Sequence, residues 1–260
     1  MLTNICLAVP FEYLPPAPIS FCRCNFDWQR IGTESFQQYA VQQPAQALGW
    51  SKKRQAEYLA GRYCAIHALG ALPDASARFP TTQLEIQLEI QLEIQLGIQL
   101  GIQKDRSAHW PTGTVGSISH SHSRAIAIAA RNKDYWGIGV DCETLLSDLS
   151  ATEIAPWVLH RNDLNCKTEQ PLRYGLLITL IFSAKESLFK ALSPSDKNIT
   201  GFGDFSASCF VSKVSANKVF LERDSRHKSI HESRPQRNTQ FELAYIIDQQ
   251  QIITLALLPR

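Results

Sequence analysis

The chain has 260 residues, of which 44% are hydrophobic and 19% are charged, and its formal net charge at pH 7 is only +2. This is the composition of an ordinary globular protein, and the small net charge does not predict a nucleic acid or a membrane surface as a partner. There is no run of about 18 apolar residues that would span a bilayer, and the proline-rich residues 1–20 lack the pattern of a signal peptide.

The seven cysteines stand at irregular positions. An odd number without regular spacing predicts reduced thiols rather than a disulfide framework, so a cytoplasmic location is expected. At this length the chain could form one large domain or two small ones.

A helix is predicted from Lys52 to near Gly70, after a short strand over Ser20–Phe26. Its apolar residues recur at intervals of three and four: Ala56, Leu59, Ala60, Tyr63 and Ile66. Arg54 and Arg62 are separated by roughly 80° around the helix axis and by about 12 Å along it. Together they form either a solvated basic face or a clamp on a phosphate, and the pattern leaves both readings open.

A tandem repeat of a four-residue unit occupies residues 82–103. Its strict alternation of polar and apolar residues favours a strand over an amphipathic helix. One copy is expected to lead as a strand into the next motif, with the rest in an extended hairpin or a mobile loop. The tract is also the segment most prone to self-association, and it is not expected to do chemistry.

The next segment, WPTGTVGSISH (110–120), begins with a turn rich in glycine and proline, where the backbone could come close to a ligand. In the extended piece that follows, Ser119 and His120 point to opposite faces, and each can donate to a phosphate oxygen. His122 is a poor metal candidate, because the hard cation expected here prefers oxygen ligands. Residues 124–130 read as a strand and 131–134 as a turn.

The strand YWGIGVDCE (135–143) is expected to return antiparallel to strand 124–130. Side chains alternate along a strand, so Asp141 and Glu143 point to the same face. Two carboxylates at this spacing suit a Mg²⁺ ion that is shared with the phosphates of a substrate. The alternative is a strand that ends in a solvated acidic turn, since D-x-E is common by chance.

A long helix is predicted from Leu172, with one apolar stripe and a second face that carries Ser183, Glu186 and Lys190. That face is either an exposed Glu–Lys pair worth roughly 0.3 kcal/mol or part of a site. In a site, Glu186 supplies a third metal carboxylate, and Lys185 and Lys190 lie near phosphate oxygens. A shorter helix is suggested within 144–174. Four strands follow, over 205–214, 218–221, 241–247 and 252–258, with a polar loop at 222–237.

Four motifs stand in one order along the chain: KRQAEYLAGR, WPTGTVGSISH, IGVDCE and FSAKESLFKAL. In this order and spacing they resemble the 4′-phosphopantetheinyl transferases of the surfactin type, and within them the enterobactin-synthetase component D group. The resemblance runs from about Lys53 to Ala191. The first fifty residues match only vaguely, and the repeat tract has no counterpart.

The resemblance implies an α+β pseudo-dimer. Each half is a small antiparallel sheet packed on a long helix, and coenzyme A binds at an active site in the cleft between them. The halves would be residues 1–132, with the contacts to adenosine and phosphate, and 133–260, with the metal site and the catalytic helix. A chain with two halves needs no second copy to build its cleft, so a monomer is expected.

The resemblance also implies roles for individual residues. Mg²⁺ would be held by Asp141, Glu143 and Glu186. Coenzyme A would be bound by Arg54 and Arg62 at the 3′-phosphate region, by Ser119 and His120 at phosphate, and by Lys190 at the pyrophosphate. Glu186 would take the proton from a serine of an acyl, peptidyl or aryl carrier protein as 3′,5′-ADP leaves, and siderophore or other secondary metabolism is the favoured context.

Two other classes of function fit part of the pattern. A Mg²⁺-dependent phosphodiesterase or nuclease also uses three carboxylates and a lysine, but it would act without a carrier protein. A non-catalytic nucleotide-binding or interaction module would use the repeat itself. Transfer of phosphopantetheine to a carrier serine would distinguish the transferase from both of these alternatives.

Overall fold

The computed structural model describes residues 1–11, 17–73, 100, 107–160, 163, 173–192, 205–210, 218–223, 240–248 and 250–260. The chain divides into two compact units. The first comprises residues 1–9, 15–136 and 259–260, and the second comprises 10–14 and 137–258. Among the described residues, no helix is both long and apolar enough to cross a membrane.

The first unit contains an antiparallel sheet with the strand order β1-β2-β4-β3. Its strands are β1 (Leu2–Cys6), β2 (Ile19–Phe26), β3 (Thr114–Ser121) and β4 (Arg124–Arg131). Its helices are the single-turn α1 (Ser35–Gln38) and the long α2 (Lys52–Gly70), with two 3₁₀ turns at Trp28–Arg30 and Ala45–Gly49. The predicted helix from Lys52 and the predicted strand within 20–26 are therefore confirmed.

Helix α2 packs on one face of this sheet because the sequence of β4 alternates alanine with isoleucine. The alanines of β4 (Ala125, Ala127 and Ala129) are fully buried in the same core as α2, and their small side chains let the helix approach. On α2, Gly61 has the same effect: an added Cβ would lie 2.8 Å from Cγ2 of Ile118 on β3. The residue types thus set a short distance between α2 and β3.

The expected pairing of strand 135–143 with strand 124–130 is wrong. Strand β4 pairs with β2 on one edge and with β3 on the other, so no edge is left for a third partner. The hairpin forms instead between β3 and β4, where Ser121 pairs with Arg124 across a two-residue turn. His122 lies in this turn, where it is exposed and has a φ of 53°. It is therefore a turn residue of the hairpin.

The second unit contains a five-stranded sheet with the order β5-β9-β8-β7-β6. The strands are β5 (Tyr135–Thr144), β6 (Phe205–Phe210), β7 (Lys218–Arg223), β8 (Gln240–Asp248) and β9 (Gln251–Pro259). Two helices accompany it, α3 (Asp148–Val158) and α4 (Tyr174–Leu192). The two predicted helices and the four predicted C-terminal strands are confirmed, apart from residues 211–214 of the first of these strands, which lie outside the described residues. Two sheets with helices agree with the predicted α+β class, while the pseudo-dimer relation between the halves stays a prediction.

Helix α4 lies unusually close to strand β5 because two glycines of the strand face it. A Cβ added at Gly139 would lie 1.8 Å from the carbonyl oxygen of Ser187, and one at Gly137 would lie 2.1 Å from that of Ala191. Only residues without a side chain permit this approach. The close approach brings the polar face of α4 against Asp141, at the end of the same strand.

Replacing Gly139 by alanine should destabilise the second unit by about 1–3 kcal/mol, because the new methyl group has no room against the backbone of α4. Urea unfolding measures the loss. Gly32→Ala is the matched control, since nothing lies within 4 Å of a Cβ at Gly32. Equal stability of the two variants would contradict the close packing of α4 on β5.

Most of the repeat tract lies outside the described residues, and so do its predicted strand and hairpin and most of the predicted loop 222–237. One repeat residue, Leu100, is described. It is 7% exposed and belongs to the hydrophobic core of the first unit.

Candidate active site

Asp141 is the centre of a polar cluster in the second unit. Its side chain is buried, with 2% of the residue exposed. The Oδ1 atom accepts a hydrogen bond from Nζ of Lys190 at 2.7 Å, and Oδ2 accepts one from Oγ of Ser183 at 2.8 Å. Ser183 and Lys190 are two helical turns apart on α4, so they lie on the same face. Each carboxylate oxygen of Asp141 thus has a partner on α4, the ammonium of Lys190 for one and the hydroxyl of Ser183 for the other.

A row of hydroxyl groups fastens α4 to β9 beside this carboxylate. Oγ1 of Thr254 lies 2.9 Å from Oγ of Ser183 and 2.6 Å from Oγ of Ser187. Thr254 also donates to the carbonyl oxygen of Ser183 at 2.8 Å. All three side chains are fully buried, so each hydroxyl finds its partners inside the protein. The network holds the face of α4 that carries Glu186 and Lys190 in one register.

Glu186 lies beside the same cluster and is only half-buried. Its burial raises the pKa of the carboxyl group, the ammonium of Lys190 lowers it, and the carboxylate of Asp141 raises it again, with a net rise. For Lys190, burial lowers the pKa, but Asp141 and Glu186 outweigh this effect and the net pKa is raised. The predicted neighbours Asp141, Glu186 and Lys190 are thus brought together.

Glu143 follows Asp141 by two residues on β5 and is partly buried. In the part of the chain that the structure describes, no three carboxylate, histidine or cysteine side chains come close enough together to hold a metal ion. Glu143 therefore does not complete a group of three with Asp141 and Glu186, and the three-carboxylate metal site stays a prediction.

Lys185 lies in the interior, away from Asp141. Its Nζ donates to Oδ2 of Asp163 at 2.7 Å and to the carbonyl oxygen of Val158 at 2.9 Å. Neither side chain of the ion pair is exposed. Burial lowers the pKa of Lys185 and Asp163 partly restores it. The predicted contact of Lys185 with coenzyme A stays a prediction, and the contacts seen here are structural.

Sequence reasoning missed Asp163, the partner of that lysine. Its Oδ1 accepts from the backbone N–H of Ala207 and its Oδ2 from that of His160, each at 2.5 Å. It stands in a polar segment without periodicity, so no pattern pointed to it.

A second cluster, in the first unit, joins α2 to β3. Nη1 of Arg54 lies 3.5 Å from Nε2 of His120. Oε2 of Glu57 lies 3.6 Å from Nη1 of Arg54, and Oε1 lies 4.0 Å from Nδ1 of His120 and 4.0 Å from Nζ of Lys53. The predicted phosphate-binding residues Arg54 and His120 are therefore neighbours, and Glu57, which the motif KRQAEYLAGR contains, was missed.

The other two predicted ligands in this unit lie elsewhere. Arg62 is 6% exposed, its guanidinium carbon lies 5.0 Å from the centroid of the Tyr58 ring, and burial lowers its pKa. Ser119 pairs with Ile126, on the face of β3 opposite to His120 and α2. That Ser119 and His120 point to opposite faces is confirmed; the phosphate contacts of Arg62 and Ser119 stay predictions.

Two family models match the chain. The model of the 4′-phosphopantetheinyl transferase superfamily matches residues 137–250, and the model of the 4′-phosphopantetheinyl transferase N-terminal domain matches residues 90–130. Together these two matches cover more than half of the chain. The match to the superfamily model contains Asp141, Glu186 and Lys190, and the match to the N-terminal-domain model contains His120.

Among curated proteins, similar chains are named enterobactin synthase component D. The relative from Salmonella typhi is 36% identical over 147 residues, which are 55% of this chain and 50% of the relative. The chain thus spans about half the length of this relative. The relative from Escherichia coli (strain K12) is 28% identical over 216 residues, which are 82% of both chains.

Proposed function

Because the chain belongs to the 4′-phosphopantetheinyl transferase superfamily, we propose that it moves the phosphopantetheine arm of coenzyme A to a serine of a carrier protein. The carrier is an acyl, peptidyl or aryl carrier protein, and 3′,5′-ADP is released. The observation that carries the proposal is the cluster of Asp141, Glu186 and Lys190, which lies within the segment matched by the superfamily model.

Glu186 is the base in this reaction. The serine Oγ attacks the β-phosphorus of coenzyme A, the bond from phosphorus to the oxygen of the ADP leaving group breaks, and the serine proton passes to a carboxylate oxygen of Glu186. A carboxyl pKa above its ordinary value makes the ionised group a better proton acceptor. Glu186 has such a pKa because it is half-buried and close to Asp141.

Lys190 binds the phosphate oxygens through its ammonium group. Its side chain is 26% exposed and is held by Asp141 at 2.7 Å, so the charge is fixed in direction and still reachable by a ligand. Phosphoryl transfer gains most from groups that are already oriented towards the oxygens where charge develops. Asp141 therefore acts here by positioning Lys190 as well as by its own charge.

The carboxylates of this site suit Mg²⁺ in their donor chemistry, since it prefers hard oxygen ligands. The pKa of Glu186 is raised mainly by burial and further by the carboxylate of Asp141, and a bound cation would offset the repulsion between these two carboxylates. The family resemblance assigns the ion to Asp141, Glu143 and Glu186. Since these three do not form a close group among the described residues, they would have to converge on the ion, which would supply further positive charge to the phosphate oxygens of coenzyme A.

The adenosine end of coenzyme A is assigned to the first unit. Arg54 and His120 are adjacent and partly exposed, and they are the contacts on which this assignment rests. Arg62 is buried and Ser119 lies on the opposite face of β3, so their roles follow from the family resemblance alone. The relatives are named enterobactin synthase component D, and this favours a carrier protein of an enterobactin-type synthase among the candidates.

Mass spectrometry of several apo carrier proteins, each incubated with the enzyme, coenzyme A and Mg²⁺, tests the proposal. A carrier that gains the mass of the phosphopantetheine arm on its serine supports it. If every carrier keeps its mass while a phosphodiester substrate is hydrolysed without a carrier, the chain is a phosphodiesterase instead.

Deleting residues 84–99 should leave the transfer rate within about twofold of the full chain. The deletion removes four copies of the repeat and keeps the last one, which contains Leu100 of the hydrophobic core. The same mass-spectrometric assay measures the rate. A complete loss of transfer, with the thermal midpoint unchanged, would favour the reading in which the repeat is the functional part.

A further inference from the structure

The carboxylate of Glu57 lies beneath basic groups that come from two different elements. Lys53 and Arg54 belong to α2, and His120 belongs to β3; their nitrogen atoms lie 3.6–4.0 Å from the carboxylate oxygens. The Glu57 side chain is only 15% exposed, whereas those of Lys53, Arg54 and His120 are 60%, 45% and 31% exposed. The carboxylate of Glu57 is therefore the deepest of the four groups, and the basic side chains face outward.

This arrangement goes beyond an ordinary surface pair on a helix. Lys53 and Arg54 stand at the spacings of three and four residues that pair with Glu57 on any helix. His120 reaches the same carboxylate from another element, and it does so because Gly61 lets α2 approach β3 closely. The guanidinium of Arg54 is also held from the side, 5.8 Å from the ring centroid of Trp50.

The ammonium of Lys53 and the guanidinium of Arg54 share one small surface beside His120, and their like charges repel each other. The carboxylate of Glu57 offsets this repulsion, and the exposed ends of the Lys53 and Arg54 side chains stay within reach of a ligand. Glu57 neutralises one unit of positive charge, so a net positive charge remains for a ligand. A phosphate monoester carries close to two negative charges and three acceptor oxygens, and it is the anion that such a group of donors suits.

We propose that Glu57 is a positioning residue that holds Lys53, Arg54 and His120 as one binding group for the 3′-phosphate of coenzyme A. This inference rests on the proposed function, and it assigns to Glu57 the ability of the protein to distinguish coenzyme A from the same molecule without its phosphate monoester. Glu57 itself touches no substrate atom in this assignment.

The test compares two substrates, coenzyme A and 3′-dephospho-coenzyme A, with a saturating carrier protein. The Glu57→Gln variant should raise KM for coenzyme A about tenfold over the wild type. Its kcat with either substrate, and its KM for 3′-dephospho-coenzyme A, should stay within about twofold of the wild-type values. Glu57→Asp keeps the charge and should recover part of the loss. Glu153→Gln, the same replacement on the exposed face of α3, is the matched control and should change neither KM.

Two outcomes would overturn the inference. An equal rise in KM for both substrates would show that Glu57 supports the fold in general, and a fall in KM for coenzyme A would show that its carboxylate competes with the phosphate. If the wild-type protein transfers nothing, the proposed function fails first. Calorimetric binding of adenosine 3′,5′-bisphosphate and of adenosine 5′-monophosphate then decides on Glu57 alone, with selective loss of the bisphosphate in Glu57→Gln as the supporting result.

Discussion

Replacing Glu186 by glutamine should lower kcat for phosphopantetheine transfer by about 10² to 10⁴-fold, which is the usual contribution of a positioned general base. Glutamine has nearly the same shape, but it cannot accept the proton of the carrier serine. Lys190 keeps its bond to Asp141 in this variant, so the loss would come from the missing base and the missing metal ligand. Transfer rates at saturating coenzyme A and carrier protein give kcat directly.

Glu153→Gln controls for the loss of a charge, because Glu153 lies on the exposed face of α3. Its kcat should equal that of the wild type. A Glu186→Gln enzyme that retained more than a third of the wild-type kcat would remove Glu186 from the role of base.

The same variant should not be less stable than the wild type at pH 7.5. The folded-state pKa of Glu186 lies above its ordinary value, so the folded protein binds this proton more tightly than the unfolded chain does. Above the raised pKa, the ionised carboxylate therefore costs stability, and this cost disappears as the pH falls through the raised pKa towards the ordinary range. Urea unfolding at several pH values should show that the difference in the free energy of unfolding between Glu186→Gln and the wild type shrinks as the pH becomes acidic.

Replacing Lys185 by methionine should lower the free energy of unfolding by about 3–5 kcal/mol, because it leaves the carboxylate of Asp163 buried without its counter-charge. Methionine fills a similar volume, so the effect reports the ion pair more than a cavity. Adding Asp163→Asn should recover part of the loss, since the remaining buried side chain is then neutral and can still accept from a backbone N–H. Denaturant titration of the two variants and the wild type measures both effects.

Lys218→Met is the matched control. Lys218 also forms an ion pair, with Glu242 in the same unit, but the two side chains are 39% and 52% exposed. Its loss should cost less than about 1 kcal/mol, because water screens such pairs. If Lys185 contacted coenzyme A instead, Lys185→Met would raise KM for coenzyme A and leave the stability unchanged.

The helices and most strands could be predicted from the sequence because their signals are local. The apolar spacing from Lys52 to Gly70 and the alternation in β2 are properties of neighbouring residues, and each element formed where its period predicted it. The exception was the partner of β5. Turn residues at 131–134 are compatible with a hairpin, but the sequence does not show that β2 and β3 already occupy both edges of β4.

The candidate site shows the same division. Helical spacing alone is enough to place Ser183, Glu186 and Lys190 on one face of α4, and that face meets Asp141. Lys185 precedes Lys190 by five residues, or roughly 140° around the helix, so the two lysines of one motif point to different sides. Lys185 has its partner in Asp163, which no pattern in the sequence marked.

By itself, then, the sequence determined the elements, the residue types at the site and the family, because periodicity and motifs depend only on residues near each other along the chain. Only the tertiary structure decided which charges meet: Lys190 with Asp141, Lys185 with Asp163, and Glu57 with His120. These pairs join residues 22 to 63 positions apart. Their distances follow from how closely helices pack on sheets, which here depends on glycines such as Gly61 and Gly139 that leave room for the backbone.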